Sequence, residues 1–592
     1  MFRSLLFVTT LASLSCGVTA QTYHLGEDFD PERYKAVPKV APLSRGSFDE
    51  LPSRVSLVSY APKIGNQKGS GSCVGWASTY SAASIAWALT VEQSGGRLSQ
   101  PGPFSPAFVF NRIKVSPDCE GGSNIGKALR DLEGNGTLPL SEFPYSDKHC
   151  QRQPSSTEFG RAQQYAIEGY RRLSSVYSTR SLHIAVRRAL AQGHPVVIGM
   201  LVGESFMKYN PSYQTWRATA EEVALYNRVG RDQMYQIEGF GGHAMSVVGY
   251  DDDRDGGAFH IMNSWGSNWG DRGYAWVKYS DFIRWVRSAY EVIPQIAEAP
   301  EPEVPDFNGR VVLKGFRQTD LSLTQKSSGF GLQSALHSGA RLRAEVTVSD
   351  DSYVYVIGTD AATARHTVLF PQEGEVSPLV SAGDTILLPG PTEDYYSRLD
   401  QTAGTDYLIV LHSREKLDVK TLAQRMDANG SRDLRQRLQA AAQGRLVALD
   451  KTELGNAGRY KAIMGNEGIL ATVIDIEHRG QSPGDVDNAG PEIVIITPEV
   501  ENTDAYVDGD KLVRYVSGDE VLVKGLAQDE SEITEVEITN GFDIKFSSRG
   551  PFVARVDLTD VAVGSTKTLT VRSRDQYNNE SSKTLTILRV QP

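Results

Sequence analysis

Two polar interruptions constrain this chain more than any other feature of its sequence. Pro294 opens the run PQIAEAPEPEVPDFNG, in which proline and glutamate recur, and Arg479 opens a second run, RGQSPGDVDNAGP. Segments of this composition hold an extended course and act as spacers. A single core stops growing at about 250–300 residues, so a chain of 592 residues divides where these runs fall. The expected layout is a leader over 1–20, an N-terminal segment 21–50, a first unit 51–295, a linker 296–307, a second unit 308–478, a linker 479–490 and a third unit 491–592.

Hydrophobic periodicity assigns a class to each unit. In the first, VGWASTYSAASIAWALTVE places Trp76, Tyr80, Ala83 and Trp87 at intervals of four, three and four, one face of a helix beginning at Cys73. Ser181 to Ala191 repeats a helical spacing, HPVVIGMLV reads as a strand, and HAMSVVGYDDDRDGGAFHIMNSWG reads as two strands joined by an Asp/Gly turn. The second unit is strand-rich (SYVYVIGT, HTVLF, DTILLP, DYLIVLHS), with a charged helical portion around Val419 to Gln443. The third repeats short β-rich runs at regular spacing, EIVIITP to KTLTILRV, the signature of an antiparallel sandwich. The predicted fold class is multidomain: α+β, then mixed β-rich, then all-β.

Charge and leader bound the partners. A net charge of −11 opposes the positive field that a phosphate backbone requires, so nucleic acid is not an expected partner. The start MFRSLLFVTTLASLSCGVTAQ has a basic residue, an apolar run from Leu5 to Leu14 and small residues ending at Ala20, the three-part form of a secretory signal. The run is too short to span a bilayer, and none elsewhere approaches the required length. The expectation is an exported protein without a transmembrane segment. Lipid anchoring at Cys16 is disfavoured because Ser13 stands where such signals carry a large aliphatic residue. Beyond the leader three cysteines remain, so at most one internal disulfide forms; Cys119 and Cys150 are the expected pair, which spares Cys73.

A spared thiol in an oxidising compartment asks for a use. Cys73 begins a helix, where the aligned peptide dipoles favour a thiolate. His243 follows two glycines at the mouth of a strand, GGHAMSVVGY, and can accept the thiol proton and return it to a leaving amine. Asn263 heads NSWGSNWGDRGY, across the Asp/Gly turn, and can fix the imidazole tautomer and ring angle. The Cys73 N–H and the Gln67 side-chain amide can supply donors to an oxyanion.

The three runs NQKGSGSCVGWA, GGHAMSVVGY and NSWGSNWGDRGY, in that order, resemble the active-site motifs of papain-like cysteine peptidases. The Gln67–Cys73 spacing of six (73 − 67) is that of the family, and the gaps of 170 to His243 (243 − 73) and 190 to Asn263 (263 − 73) exceed its usual range. The resemblance implies a two-lobed α+β catalytic domain over about 50–295 that hydrolyses peptide bonds through a thioester acyl-enzyme, with no cofactor and no metal. Gln67 is implied as oxyanion donor, Cys73 as nucleophile, His243 as base and acid, Asn263 as orienter, Trp265 as shield of the Asn–His bond and Trp269 as flank of the leaving-group side. Cys119-Glu120-Gly121-Gly122 is similar to the family's Cys-x-Gly-Gly run, whose glycines Gly121 and Gly122 let a substrate backbone lie against the cleft. Phe143-Pro144-Tyr145, with Cys150 beyond, matches a further structural stretch.

The departures are Ser70 in place of a disulfide cysteine, Val-Gly-Trp after the nucleophile, and only about thirty residues between leader and catalytic start, too few for the family's long helical propeptide. The second unit resembles an uncharacterised domain family of bacterial exported proteins through Tyr353-Val-Tyr355, Leu369-Phe370-Pro371 and Gly404-Thr405-Asp406-Tyr407-Leu408; the third looks immunoglobulin-like. Two rival functions use the same scaffold: an idle cleft on a surface-binding or assembly protein, where the β units provide cell-surface or envelope association, and acyl transfer to an amine. Asp251, Asp253, Asp255 and Gly256 imitate a calcium loop, but Met262 stands at its twelfth position, so a solvated turn is expected. GQSPG (480–484) matches a serine elbow by letter only, lying in a linker.

Overall fold

The computed structural model describes residues 23–41, 51–95, 97–174, 182–295, 306–315, 320–359, 365–371, 376–389, 397–465, 468–480 and, with further short gaps, 490–590. The leader with Cys16, and nearly all of both linkers including GQSPG beyond its first glycine, lie outside the described residues.

The first unit sets helices against a seven-stranded sheet. The strand order is Gly169–Arg172, Val286–Ile293, Val196–Val202, Gly241–Asp251, Ala258–Met262, Tyr274–Lys278, with Arg54–Ser56 pairing along Gly241–Asp251. Helices begin where side chains cap them. The Ser105 hydroxyl accepts from the Phe108 N–H with Pro106 in the first turn, and Asn124 caps Ile125–Asn135, which stops at Gly136 with φ 64°. One apolar cluster fills the sheet side around Trp216, Trp265 and Trp285, and another fills the helical side around Phe108, Leu129 and Val74. Cys73 lies in the helical cluster and His243 on the sheet, so the candidate site falls where the two cores meet.

The helix starts at Cys73 as its spacing predicts, but its burial is wider than one face. Cys73–Gly75 is α-helical, Trp76–Ala83 is a π-helical turn buried at every position, and Ser84–Gln93 returns to α. The reason is residue size. Ala77, Ser78, Thr79, Ser81, Ala82 and Ala83 bury with little bulk, and a Cβ at Gly75 would lie 2.7 Å from the Pro106 carbonyl oxygen, so the neighbouring helix comes close. π-turns of this kind concentrate at functional sites.

The second unit stacks an eight-stranded sheet on a seven-stranded one over a shared core that includes Val311, Val346, Val354 and Ile474. The predicted helical portion is two helices, Val419–Ala428 and Leu434–Ala441, covering the outer face of the larger sheet. The third unit is two sheets around one core containing Val523, Ala554, Val571 and Leu585. One of its pairings, Lys511–Ser517 with Glu580–Val590, is parallel, a departure from the wholly antiparallel sandwich expected. Among the described residues no helix is long and apolar enough to cross a membrane.

The first and second units join through buried charge. Arg171 reaches across to the Leu379 carbonyl (2.6 Å) and the Ser381 hydroxyl (3.0 Å), and Arg188 pairs with Asp384. Glu291 lies between Arg171 (2.7 Å) and His194 (2.6 Å), and His194 also faces Asp351 at 3.4 Å.

Candidate active site

The hairpin brings the distant histidine and asparagine together. Gly241–Asp251 and Ala258–Met262 pair antiparallel with Ser246 opposite Met262, and Asn263 continues from the second strand. His243 Nε2 then lies 2.7 Å from Asn263 Oδ1. The indole of Trp265 stacks on the imidazole, centroids 4.3 Å apart and planes at 22°, with Trp269 edge-on to Trp265 at 5.3 Å. The remaining ring nitrogen, Nδ1, is buried without a partner. Cys73 Sγ lies 3.5 Å from the N–H of Ala244, the residue after His243, and is the free cysteine among the described residues. Cys119 and Cys150 form the disulfide.

Within the domain Gln67 is held by Ser264, Ser70 and Tyr145. Its Oε1 accepts from the Ser264 hydroxyl (2.7 Å), its Nε2 donates to the Ser70 carbonyl (2.9 Å), and its own carbonyl accepts from the Tyr145 hydroxyl (2.7 Å). Ser70, which stands where the papain-like motif has cysteine, bonds the Cys119 carbonyl through its hydroxyl (2.9 Å), so a hydrogen bond ties this loop down instead of a second disulfide. Ser264 and the Ala244 N–H are site groups that the sequence reading missed, and Ser70, read from sequence only as a lost cysteine, gains a partner in the fold. Ser264 carried one signal, its place directly after Asn263.

A feature without sequence warning is that the cleft is filled by the chain's own N-terminal segment. Tyr23 stacks on the outer face of Trp265 at 4.4 Å, the His24 carbonyl accepts from Gln67 Nε2 at 3.0 Å, and the N–H groups of Gly26 and Glu27 both donate to the Gly242 carbonyl at 3.1 Å. Asp28 N–H donates to Ser123 O (2.9 Å) and Ser123 N–H to Gly26 O (2.8 Å), a parallel bridge along the loop after the glycine run. Gly122 touches the segment so closely that a Cβ there would strike the Gly26 carbonyl; Gly121 instead packs on Ser116, away from it. Beyond the cleft Asp30 caps the short helix Pro31–Lys35, buried Tyr34 bonds Ser174 (2.8 Å), and Ala41 ends in the core of the second unit. A short extended strap thus lies where the sequence reading found no helical propeptide.

The covering sets the electrostatics. Cys73 and His243 expose no surface. Burial pushes the Cys73 thiol up to about 12, against the Ala244 N–H that favours its thiolate, and the Glu27 carboxyl raises it further. Burial also pulls His243 down to about 4, against the Asn263 bond. Thiol and imidazole are therefore both neutral while the strap is seated, because neither ion can be hydrated. The carboxylates of the Asp/Gly turn bind protein groups: Asp252 takes Arg187 and Tyr279, and Asp255 takes Thr215 and Arg217.

A thiol at a helix start, an imidazole on a facing strand and a carboxamide bonded to that imidazole come together, on an α+β frame, as a candidate cysteine site. Comparison with known proteins places the unit more closely. Residues 51–285 match the papain family cysteine protease model, and 335–416 match a domain of unknown function, DUF4384. The chain is 27% identical over 180 residues to an uncharacterized peptidase C1-like protein of Acanthamoeba polyphaga mimivirus, covering 29% of this chain and 52% of that protein. It is 28% identical over 246 residues to cathepsin B-like CP2 of Giardia intestinalis, covering 39% and 71%. The chain thus spans about half the length of the first of these relatives. Among solved structures it is similar to xylellain, a cysteine protease from Xylella fastidiosa, at 23% identity and a TM-score of 0.35, covering 46% of this chain and 95% of that one. The chain carries a papain-family cysteine protease domain at residues 51–285.

Proposed function

We propose that this domain is an active, exported cysteine peptidase in which Cys73 attacks, His243 moves the proton, Asn263 orients the ring and Gln67 with the Cys73 N–H stabilises the oxyanion. The observation that carries the reading is the 2.7 Å bond from His243 Nε2 to Asn263 Oδ1, which leaves Nδ1 as the nitrogen free to serve the thiol. His243 takes the Cys73 proton, and the thiolate adds to the peptide carbonyl carbon. As the C–N bond breaks the imidazolium gives its proton to the leaving amine, and a thioester remains. Water then adds to the thioester, its proton passing to His243; the carboxylic acid leaves and the thiol is restored. Trp265, stacked on His243, keeps water from the Asn263 bond, and Trp269 borders the leaving-group side. Gly122 leaves room for a substrate backbone, a role that the strap lying on it supports, whereas Gly121 faces Ser116 and is not part of the cleft wall.

The strap makes the described form a resting one, so turnover requires its displacement. The domain limits at 51–295, 308–478 and 491–592, and an immunoglobulin-like third unit, belong to the same reading. Cys73→Ser is expected to abolish both peptide hydrolysis and covalent labelling by a thiol-directed epoxide once the strap is displaced. Hydrolysis retained by Cys73→Ser overturns the assignment, and ligation to an added amine in place of hydrolysis identifies acyl transfer. A covered cleft is also what an idle scaffold would present; wild-type chain that takes the label yet cleaves no peptide would favour that second reading.

A further inference from the structure

One phenol ties the loop of Gln67 to the helix of Cys73. The Tyr145 hydroxyl lies 2.7 Å from the Gln67 carbonyl oxygen and 2.8 Å from the Ser72 hydroxyl. A carbonyl only accepts, so the phenol proton goes to Gln67 and the Ser72 hydroxyl donates to the phenol oxygen. The ring packs against both apolar clusters of the first unit and stands edge-on to Trp76, centroids 4.9 Å apart, which fixes the place of its hydroxyl.

Ser72 shows what the tie is for. It stands at the N-cap of the helix that runs from Cys73 to Gln93, where a serine hydroxyl ordinarily accepts from the second or third backbone N–H, here that of Val74 or Gly75. Ser72 makes no such capping bond, because its hydroxyl is turned to Tyr145. The Val74 N–H serves the Cys73 sulfur instead and favours its thiolate. A Ser72 hydroxyl released from Tyr145 would have that N–H within its ordinary reach and compete with the sulfur for it. On the other side of the tie, the Gln67 N–H donates to the Ser264 carbonyl at 2.8 Å while its carbonyl takes the phenol proton. The backbone that carries the oxyanion amide is thus pinned at both of its polar groups.

Resting on the peptidase reading, we infer that Tyr145 is a positioning residue of the cysteine site: it holds the Ser72 hydroxyl away from the Val74 N–H, keeping that donor for the sulfur, and it fixes the Gln67 backbone for the oxyanion. The Phe143-Pro144-Tyr145 run thereby acquires a part in the site's chemistry.

The test compares full-length Tyr145→Phe, Ser72→Ala and the double variant with their parent, all in a Glu27→Gln background so that the strap adds no pH dependence of its own. The first readout is the pH midpoint of Cys73 alkylation by iodoacetamide. Easier or harder opening of the strap scales the rate at every pH, whereas a change at the sulfur moves the midpoint. Tyr145→Phe is expected to raise the midpoint by about half to one pH unit, the effect of one hydrogen bond. Ser72→Ala should leave it at the parent's value, and the double variant should bring it back, because the competing hydroxyl is gone. A midpoint that Tyr145→Phe leaves in place, or that stays raised in the double variant as general loosening would give, overturns the inference. The second readout is steady-state kinetics. Tyr145→Phe should lower kcat about tenfold with KM little changed, a part of the 10²–10³ that removing an oxyanion donor costs; an unchanged kcat, or a loss that falls on KM alone, overturns it. If the parent cleaves no peptide, the peptidase reading falls, and the midpoints with their rescue decide the positioning role by themselves.

Discussion

The side-chain amide of Gln67 donates to the carbonyl oxygen of His24 across 3.0 Å, so the group proposed to stabilise the oxyanion is already engaged by the chain's own strap. Oxyanion donors act where charge develops, and removing one costs about 10²–10³ in kcat. Gln67→Ala is expected to lower kcat by about that factor with little change in KM, and also to raise the rate of Cys73 alkylation because the strap loses a bond. Steady-state kinetics beside alkylation rates check both; unchanged kcat removes Gln67 from the oxyanion role.

Strap seating is expected to depend on pH through Glu27. Burial raises its carboxyl from the ordinary value near 4.5 to about 7, opposed by Arg287 and assisted by Asp28. A raised acid keeps its proton in the seated state where the released state has lost it, so seating takes up a proton between these values. Seating is strongest below about 4.5, weakens as pH rises through about 7 and levels off above. Hydrogen exchange at residues 23–30 should show this slope, and Glu27→Gln should flatten it.

The charged junction between the first two units is expected to be a large contributor to their docking. Glu291 is fully buried, and the charges of Arg171 and His194 hold its carboxyl well below the usual range although burial opposes this. His194 is raised to about 9: burial works against its charge, but hydrogen bonds to Asp351 and Glu291 outweigh it. Stability from this histidine is fully present below its ordinary value of 6.5 and is lost as pH rises through about 9. Glu291→Ala, which takes the carboxylate from buried Arg171 and leaves His194 with Asp351 alone, should cost about 3–5 kcal/mol in denaturant unfolding.

The Cys119–Cys150 bridge closes a loop with a sequence separation of 31. Loops of this order are stabilised by about 3–4 kcal/mol through the entropy removed from the unfolded chain. Cys119→Ser paired with Cys150→Ser is expected to lower stability by about that amount while Cys73 still takes a thiol label after the strap is displaced. Peptide mapping that finds both thiols free in the wild type would refute the pairing.

Much of the site was legible because it lies in short runs with local causes. Helical spacing placed Cys73 at a helix start, and the Asp/Gly turn between two β-rich runs announced the hairpin that joins His243 to Asn263. Ser264 and the Ala244 N–H were not legible, since their roles follow from which way a side chain or amide faces after folding. The strap was not legible either. Tyr23 to Asp28 carries no motif, and its conformation comes from partners more than forty positions away, among them Gln67, Ser123 and Gly242.

By itself the sequence determined the order of fold classes, α+β and then β-rich, and it carried the four residues of the proposed cysteine site, because periodicity and turns act within a few residues of their cause. Only the tertiary structure decided that the thiol and imidazole rest uncharged, that the chain's own strap fills the cleft, and that the first two units share buried charge. These depend on desolvation and on contacts between segments remote in the chain, which no local pattern encodes.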